Sequence, residues 1–142
     1  MSCDIHVYIE YGNDDGYNLY ASPDFPQSYF LFCLLAGVRK EWVDKNIGEG
    51  FKAIYEPRGI PNNASFYTLK SELGYLEWDE KTDTWDAMPD WHSTSHWNTE
   101  EFKYVINEYK QQIDDPDFYI YEATIALMLA LTNARIVFWF DN

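Results

Sequence analysis

The sequence predicts a single α+β domain spanning residues 1–142. It would be a small mixed or antiparallel sheet with its first and last strands central and the C-terminal helices packed on it. Three observations carry this expectation. The start of the chain alternates apolar and polar residues, a helix with a complete N-terminal signal opens at Thr99, and the chain closes on an unbroken β-branched and aromatic run. With 142 residues the chain can bury one sizeable core. Its 46% apolar and 19% aromatic content excludes a disordered chain despite the charge.

From Asp4 to Tyr11, Ile5, Val7, Ile9 and Tyr11 fall on one face of a strand, and Asp4, His6, Tyr8 and Glu10 on the other. Asn13-Asp14-Asp15-Gly16 supplies turn chemistry and ends it. Tyr29 to Val38 reads as a short buried helix stopped by Gly37, with Cys33 as ordinary core. Residues 44–65, rich in Gly, Asn and Pro, read as a long ordered loop, because Pro57 and Pro61 cannot share a helix interior. Leu69 to Trp78 gives a helix-to-strand passage. Asp79 to Asp90, with five carboxylates around Trp85, gives a solvated turn or hairpin.

Asn98 and Glu101 have the spacing of a capping box, with Trp97 and Phe102 as its hydrophobic staple. The helix from Thr99 keeps Phe102, Val105, Ile106, Tyr109 and Ile113 on one face and stops at Asp114-Asp115-Pro116. A second helix, about Phe118 to Thr132, is apolar nearly all round in Ala123 to Leu131. It should therefore be the most buried, with Leu127 and Leu131 in the core and Asn133 as C-cap. Arg135 to Phe140 lacks alternation and reads as a strand covered on both faces.

Ten cationic against 24 acidic residues leave a net charge of −14, a field that repels phosphate and argues against direct nucleic-acid binding, while suiting a basic partner. Two cysteines, Cys3 and Cys33, make no disulfide framework, which fits a reduced cytoplasmic protein. No apolar run reaches the ~18 to 20 residues needed to cross a bilayer. Gly-rich phosphate fingerprints, G-x-S-x-G elbows and Cys/His nucleophile arrangements are absent from the sequence, so kinase, dinucleotide oxidoreductase and serine hydrolase readings fall away.

Two constellations could carry chemistry. Asp4 and His6 project from one strand face about 6 to 7 Å apart. If His92 and His96 fold over that strand, His6, His92 and His96 together with Asp4 supply N and O ligands for zinc or another transition metal with a site open to water, the basis of a hydrolase acting on a phosphorylated or nucleotide substrate. Alternatively, Asp4 and His6 are a hydrogen-bonded pair and the other histidines pack near the helix. The second constellation is Arg58-Gly59 between Pro57 and Pro61, where a planar cation on a stiffened loop suits an anion and nearby aromatics offer faces to a base. Its bland counterpart is an arginine in an internal salt bridge. The acidic surface also admits a third class, a DNA-mimic-like inhibitor of a host protein.

Several segments together resemble a family of small proteins encoded by tailed phages and prophages: Cys3-Asp4-Ile5-His6, the run from Leu31 to Arg39, Pro57-Arg58-Gly59-Ile60-Pro61, and Phe138-Trp139-Phe140-Asp141-Asn142. Ser2 stands where the family pattern has Gly. His92-Ser93-Thr94-Ser95-His96-Trp97 is one residue longer than the family's His-Ser-His-Ser-Trp. The resemblance implies a phage accessory protein in the bacterial host cytoplasm, and by analogy one that counters host defence by sequestering a nucleotide-like immune signal. On that expectation Asp4, His6, Tyr8, Arg58, Gly59, His92, His96 and Trp97 line one pocket, with Arg58 the main anion contact and no cofactor. Self-association stays open.

Overall fold

A computed structural model describes residues 2–65, 67–69, 77–82, 84–86 and 91–141. Its centre is a four-stranded antiparallel sheet built from β1 (Asp4–Asn13), β2 (Gly16–Ala21), β5 (Trp91–Asn98) and β6 (Arg135–Asp141), in the order β2-β1-β6-β5. The first and last strands are therefore central, as the hydropathy pattern predicts. A separate hairpin pairs β3 (Glu77–Asp79) with β4 (Thr84–Asp86) inside the acidic segment. Asp83, Asp90 and most of the Leu69–Trp78 passage lie outside the described residues.

The turn at Asn13–Gly16 does not end a lone strand. It makes a hairpin, with Asn13 facing Gly16 across the pair and Asn13 Oδ1 accepting from the Asp15 N–H at 2.9 Å. Gly12 is required by close approach, since a Cβ there would stand 2.3 Å from the Gly16 carbonyl oxygen.

Helix α1 (Tyr29–Ala36) begins under Ser28, whose Oγ accepts from the Leu31 N–H, and stops at Gly37 in the left-handed conformation (φ 74°). Five consecutive buried residues, Leu31 to Leu35, make it the most enclosed helix described. The loop expected from residue 44 starts later, because α2 (Lys40–Ile47) runs through Ile47. Arg39 at φ 62° turns the chain directly from one helix into the next, and α2 is anchored by buried Val43, with an internal Lys40–Asp44 pair at 2.8 Å.

Helix α3 (Thr99–Gln112) starts on the predicted capping box, with Glu101 N–H on Asn98 Oδ1 and Asn98 N–H on Glu101 Oε1. It buries Phe102, Val105, Ile106 and Tyr109 against the sheet and α1. Helix α4 (Phe118–Ala130) packs on α3 as an outer layer. Only one face is covered, so the most-buried-helix expectation fails: Tyr119 and Leu129 are 66% and 58% exposed. Leu127 and Leu131 sit at the core's margin rather than inside it. Leu131, not Asn133, is the C-cap. Asn133 instead takes φ 47° in the turn toward β6 and donates from Nδ2 to the Gly12 carbonyl.

Strand register divides the sheet into two buried faces. Val7, Ile9, Ile136, Phe138, Phe140 and Trp97 meet the helices. Tyr8, Val137 and Trp139 form a second cluster on the reverse face, closed over by Ile60, Ala64 and Leu69. Tyr8 and Glu10 therefore do not border an open cleft as the polar face of β1 suggests, because the apolar residues of the 60–69 segment seal that face.

Glu10 survives this burial through its partners. Arg135, its cross-strand neighbour, donates Nε–H to Glu10 Oε1 at 2.8 Å, while the Ser65 N–H and Thr68 hydroxyl donate to Oε2 at 2.6 and 2.7 Å. Arg135 Nη1 donates to Asn63 Oδ1 at 2.8 Å. With Glu10 0% and Arg135 8% exposed, removing either partner strands the other charge in the interior. Glu10→Gln should cost about 3 to 5 kcal/mol of stability in urea denaturation. The double change Glu10→Leu/Arg135→Met should cost less than the two single changes summed; simple additivity would show that the pair is not coupled.

Candidate functional site

The Pro57–Pro61 loop runs along the outer edge of β5. Gly59 N–H bonds the Thr94 carbonyl at 2.8 Å and Arg58 N–H bonds Ser95 Oγ at 3.1 Å, so the loop satisfies an otherwise open sheet edge. This fixes where the Arg58 side chain emerges. Its Nη1 and Nη2 meet the two oxygens of Glu101 at 2.9 and 2.5 Å, and Nη1 also reaches the His96 carbonyl at 3.3 Å. Three of the five guanidinium donors are thus engaged. The pair draws the Glu101 carboxyl below its usual range and raises Arg58, the direct hydrogen bond between them being the largest cause in both. Both side chains are partly exposed, so the bridge contributes at most about 1 kcal/mol to stability.

Arg58 borders a cleft of about 520 Å³ at the β5 end of the reverse face. Arg135 forms part of its floor, with the Tyr17 ring centroid 3.5 Å from the guanidinium carbon. Arg135 Nη2 is buried without a hydrogen-bond partner among the described residues, and the Tyr17 π face offsets some of that cost. Asn13, Asn98 and Asn133 add amide groups to the walls, and Asp14 a carboxylate. His96 lines the cleft too. Burial first, then the positive charges of Arg135 and Arg58, push its pKa down, so the imidazole is neutral at pH 7.

Of the residues expected in one pocket, the structure brings Arg58 and His96 together, with Gly59 in the adjoining backbone; Trp97 borders the cleft, but its ring is fully buried on the helix side against Phe138. The others lie elsewhere. His6 stands opposite Trp139 and His96 opposite Val137, which separates them by about 10 Å across the sheet and about 7 Å along it. His92 is on the opposite face. Between His92 and Ser95 a bulge sets two residues of β5, Ser93 and Thr94, against the single Trp139 of β6, with Ser93 at φ 56°, and His92 stacks with Phe140 on the helix side. His6, His92 and His96 therefore do not converge, and among the described residues no group of three His, Cys, Asp or Glu side chains could hold a metal ion. Nor do Asp4 and His6 pair: His6 Nε2 meets Asp141 Oδ2 at 2.5 Å, while Asp4 accepts from Gln27.

Sequence reasoning overlooked Tyr17, Asn133 and Arg135 as site residues. The signal for Arg135 was present, since a lone cation opening an otherwise apolar, doubly covered strand needs a buried acid, and Glu10 stood on the other central strand. Comparisons with protein families, curated proteins and solved structures return no match for this chain. Among the described residues, no helix is long and apolar enough to cross a membrane.

The lowered His96 pKa has a measurable consequence. In the unfolded chain His96 titrates near ~6.5, and in the fold below it. The unfolded state therefore binds more protons in that interval, so this contribution to stability is complete above ~6.5 and is lost as pH falls through the folded value. Melting temperatures between pH 7.5 and 5 (about the interval where His titrates) should fall more steeply for the wild type than for His96→Gln. Parallel curves would show that His96 protonates freely in the fold.

Proposed function

We propose that this protein is a binding module that holds a small nucleotide-like ligand in the Tyr17–Arg58–Arg135 cleft and sequesters it unchanged. The observation that supports this reading most directly is the make-up of that cleft. In a chain with ten cationic residues and a net charge of −14, two arginines and a histidine line one cavity with an aromatic ring and three asparagines. A base stacks on Tyr17 and its edge meets the amides of Asn13, Asn98 or Asn133, while the two uncommitted donors of Arg58 and neutral His96 take the phosphate.

The charge balance narrows the ligand. Glu101 already faces Arg58, Glu10 already faces Arg135 and Asp14 adds a third carboxylate, so the cleft offers hydrogen-bond donors with no positive excess. This favours a singly charged phosphodiester, as in a cyclic nucleotide, over a polyanionic triphosphate. The resemblance to phage accessory proteins supplies the setting, a host signal removed from circulation by binding, and sequestration needs neither metal nor cofactor. The metal-dependent hydrolase reading gains no support from the separated histidines.

Calorimetric titration with a panel of cyclic mono- and dinucleotides tests the proposal. A member of the panel should bind and be recovered chemically intact after heat denaturation. Arg58→Ala should weaken that binding by about 1.5 to 3 kcal/mol, while its effect on stability stays near the ~1 kcal/mol of a partly exposed ion pair. No binding across the panel, or unchanged affinity in Arg58→Ala, overturns the assignment.

A further inference from the structure

A second cleft lies away from the nucleotide site, between the start of α1 and the connection from α3 to α4, with a volume of about 430 Å³. Its wall is aromatic. The Trp42 ring stands 5.3 Å from both the Tyr29 and Phe30 rings, and Trp42 remains 42% exposed on α2. The facing rim is acidic, but its three carboxylates differ in what they do.

Asp115 is committed to the fold. It accepts the Tyr109 hydroxyl at 2.6 Å and the Asp117 N–H at 2.8 Å, and burial first, then this hydrogen bond, drives the Tyr109 pKa up. Asp114 and Asp117 make no side-chain hydrogen bond among the described residues. Asp117 sits at the α4 N-cap position without capping it. Two uncommitted carboxylates thus stand across from an exposed indole.

We propose that this cleft docks a lysine or arginine side chain from a basic protein segment. The alkyl stem lies against Ile113, the cationic head faces the exposed Trp42 ring rather than Tyr29, which already carries Arg39, and Asp114 and Asp117 complete the charge match. The fold already uses this chemistry internally: Arg39 sits over Tyr29 at 5.3 Å and Lys110 over Phe118 at 4.9 Å. Charge selects among occupants. An anionic or apolar segment would leave the carboxylates unmatched, and a second copy of this chain would bring its own −14 against them. A basic segment is instead drawn in by the overall field.

The test is fluorescence anisotropy of a fluorescein-labelled Gly-Arg-Gly-Arg-Gly-Arg-Gly peptide titrated with the full chain at physiological ionic strength. Saturable one-to-one binding is expected, weakened about ten-fold by Asp114→Asn/Asp117→Asn. The control Asp24→Asn/Glu49→Gln removes the same charge from exposed sites outside the cleft and should cost less than about two-fold. Trp42→Ala should weaken binding about five-fold, while Trp42→Phe, which keeps an aromatic face, retains most of it. The proposal is overturned if the peptide does not saturate, if both double variants weaken it equally, or if Trp42→Phe and Trp42→Ala both leave the affinity unchanged.

Discussion

The ion pair between Glu10 and Arg135 is the constraint on which the reverse side of the sheet depends. Two opposite charges on the two central strands, directly opposed in an antiparallel ladder, cannot remain buried unless their other lone pairs and protons find partners. Those partners come from Asn63, Ser65 and Thr68, so the pair draws the 60–69 segment onto the sheet. The segment in turn brings Ile60, Ala64 and Leu69 over Tyr8, Val137 and Trp139. A loop that sequence composition describes only as polar and proline-rich thereby becomes the lid of a second hydrophobic cluster.

The same pair sets the floor of the cleft. Arg135 is held flat by Glu10 and Asn63, and Tyr17 rests on it from β2, a strand whose position follows from the tight turn after Gly12. From the other side, Glu101 joins two local structures: one carboxylate closes the α3 capping box and also binds the Arg58 fork. The start of a helix and the tip of an edge-protecting loop are fixed by a single side chain. Asn13, Asp14, Asn133 and Arg58 line the cleft from turns and a loop, and hydrogen bonds tie the Arg58 loop to α3 and the Asn133 turn to β1.

What the sequence made legible was what local chemistry decides. Alternation placed β1, the capping box placed the start of α3 at Thr99, and the unalternating run at Ile136–Phe140 marked a doubly covered strand. Features decided by tertiary contact were not legible. Helix α2 is only eight residues long and opens at left-handed Arg39 without a side-chain cap, so no start signal announces it, and α4 is apolar nearly all round, a pattern that does not say how many of its faces meet a partner. The histidines show the limit most clearly: His92 and His96 are four apart and would share a face in a regular strand, but one extra residue at the Ser93–Thr94 bulge turns His92 to the helices. Arg58 stood out because cations are scarce. Its partner did not, because the capping box alone already accounted for Glu101.

The distribution of charge relates the two clefts. Arg58, Arg135 and Lys40 are each bound to a carboxylate, so much of the positive charge is cancelled locally, and what projects into solvent is the acidic excess. A phosphate approaching the Arg58 cleft does so against that field, and must be held by hydrogen bonds and stacking that act only on contact. A basic side chain approaching Trp42 moves with the field from about a Debye length away, roughly 8 Å at physiological ionic strength. On the two proposals, one charge distribution would make the first cleft selective by short-range fit and the second fast by long-range attraction. The two clefts lie on different layers of a small domain, one at the end of the reverse sheet face and the other among the helices, so the two proposed recognition modes would not compete for one surface.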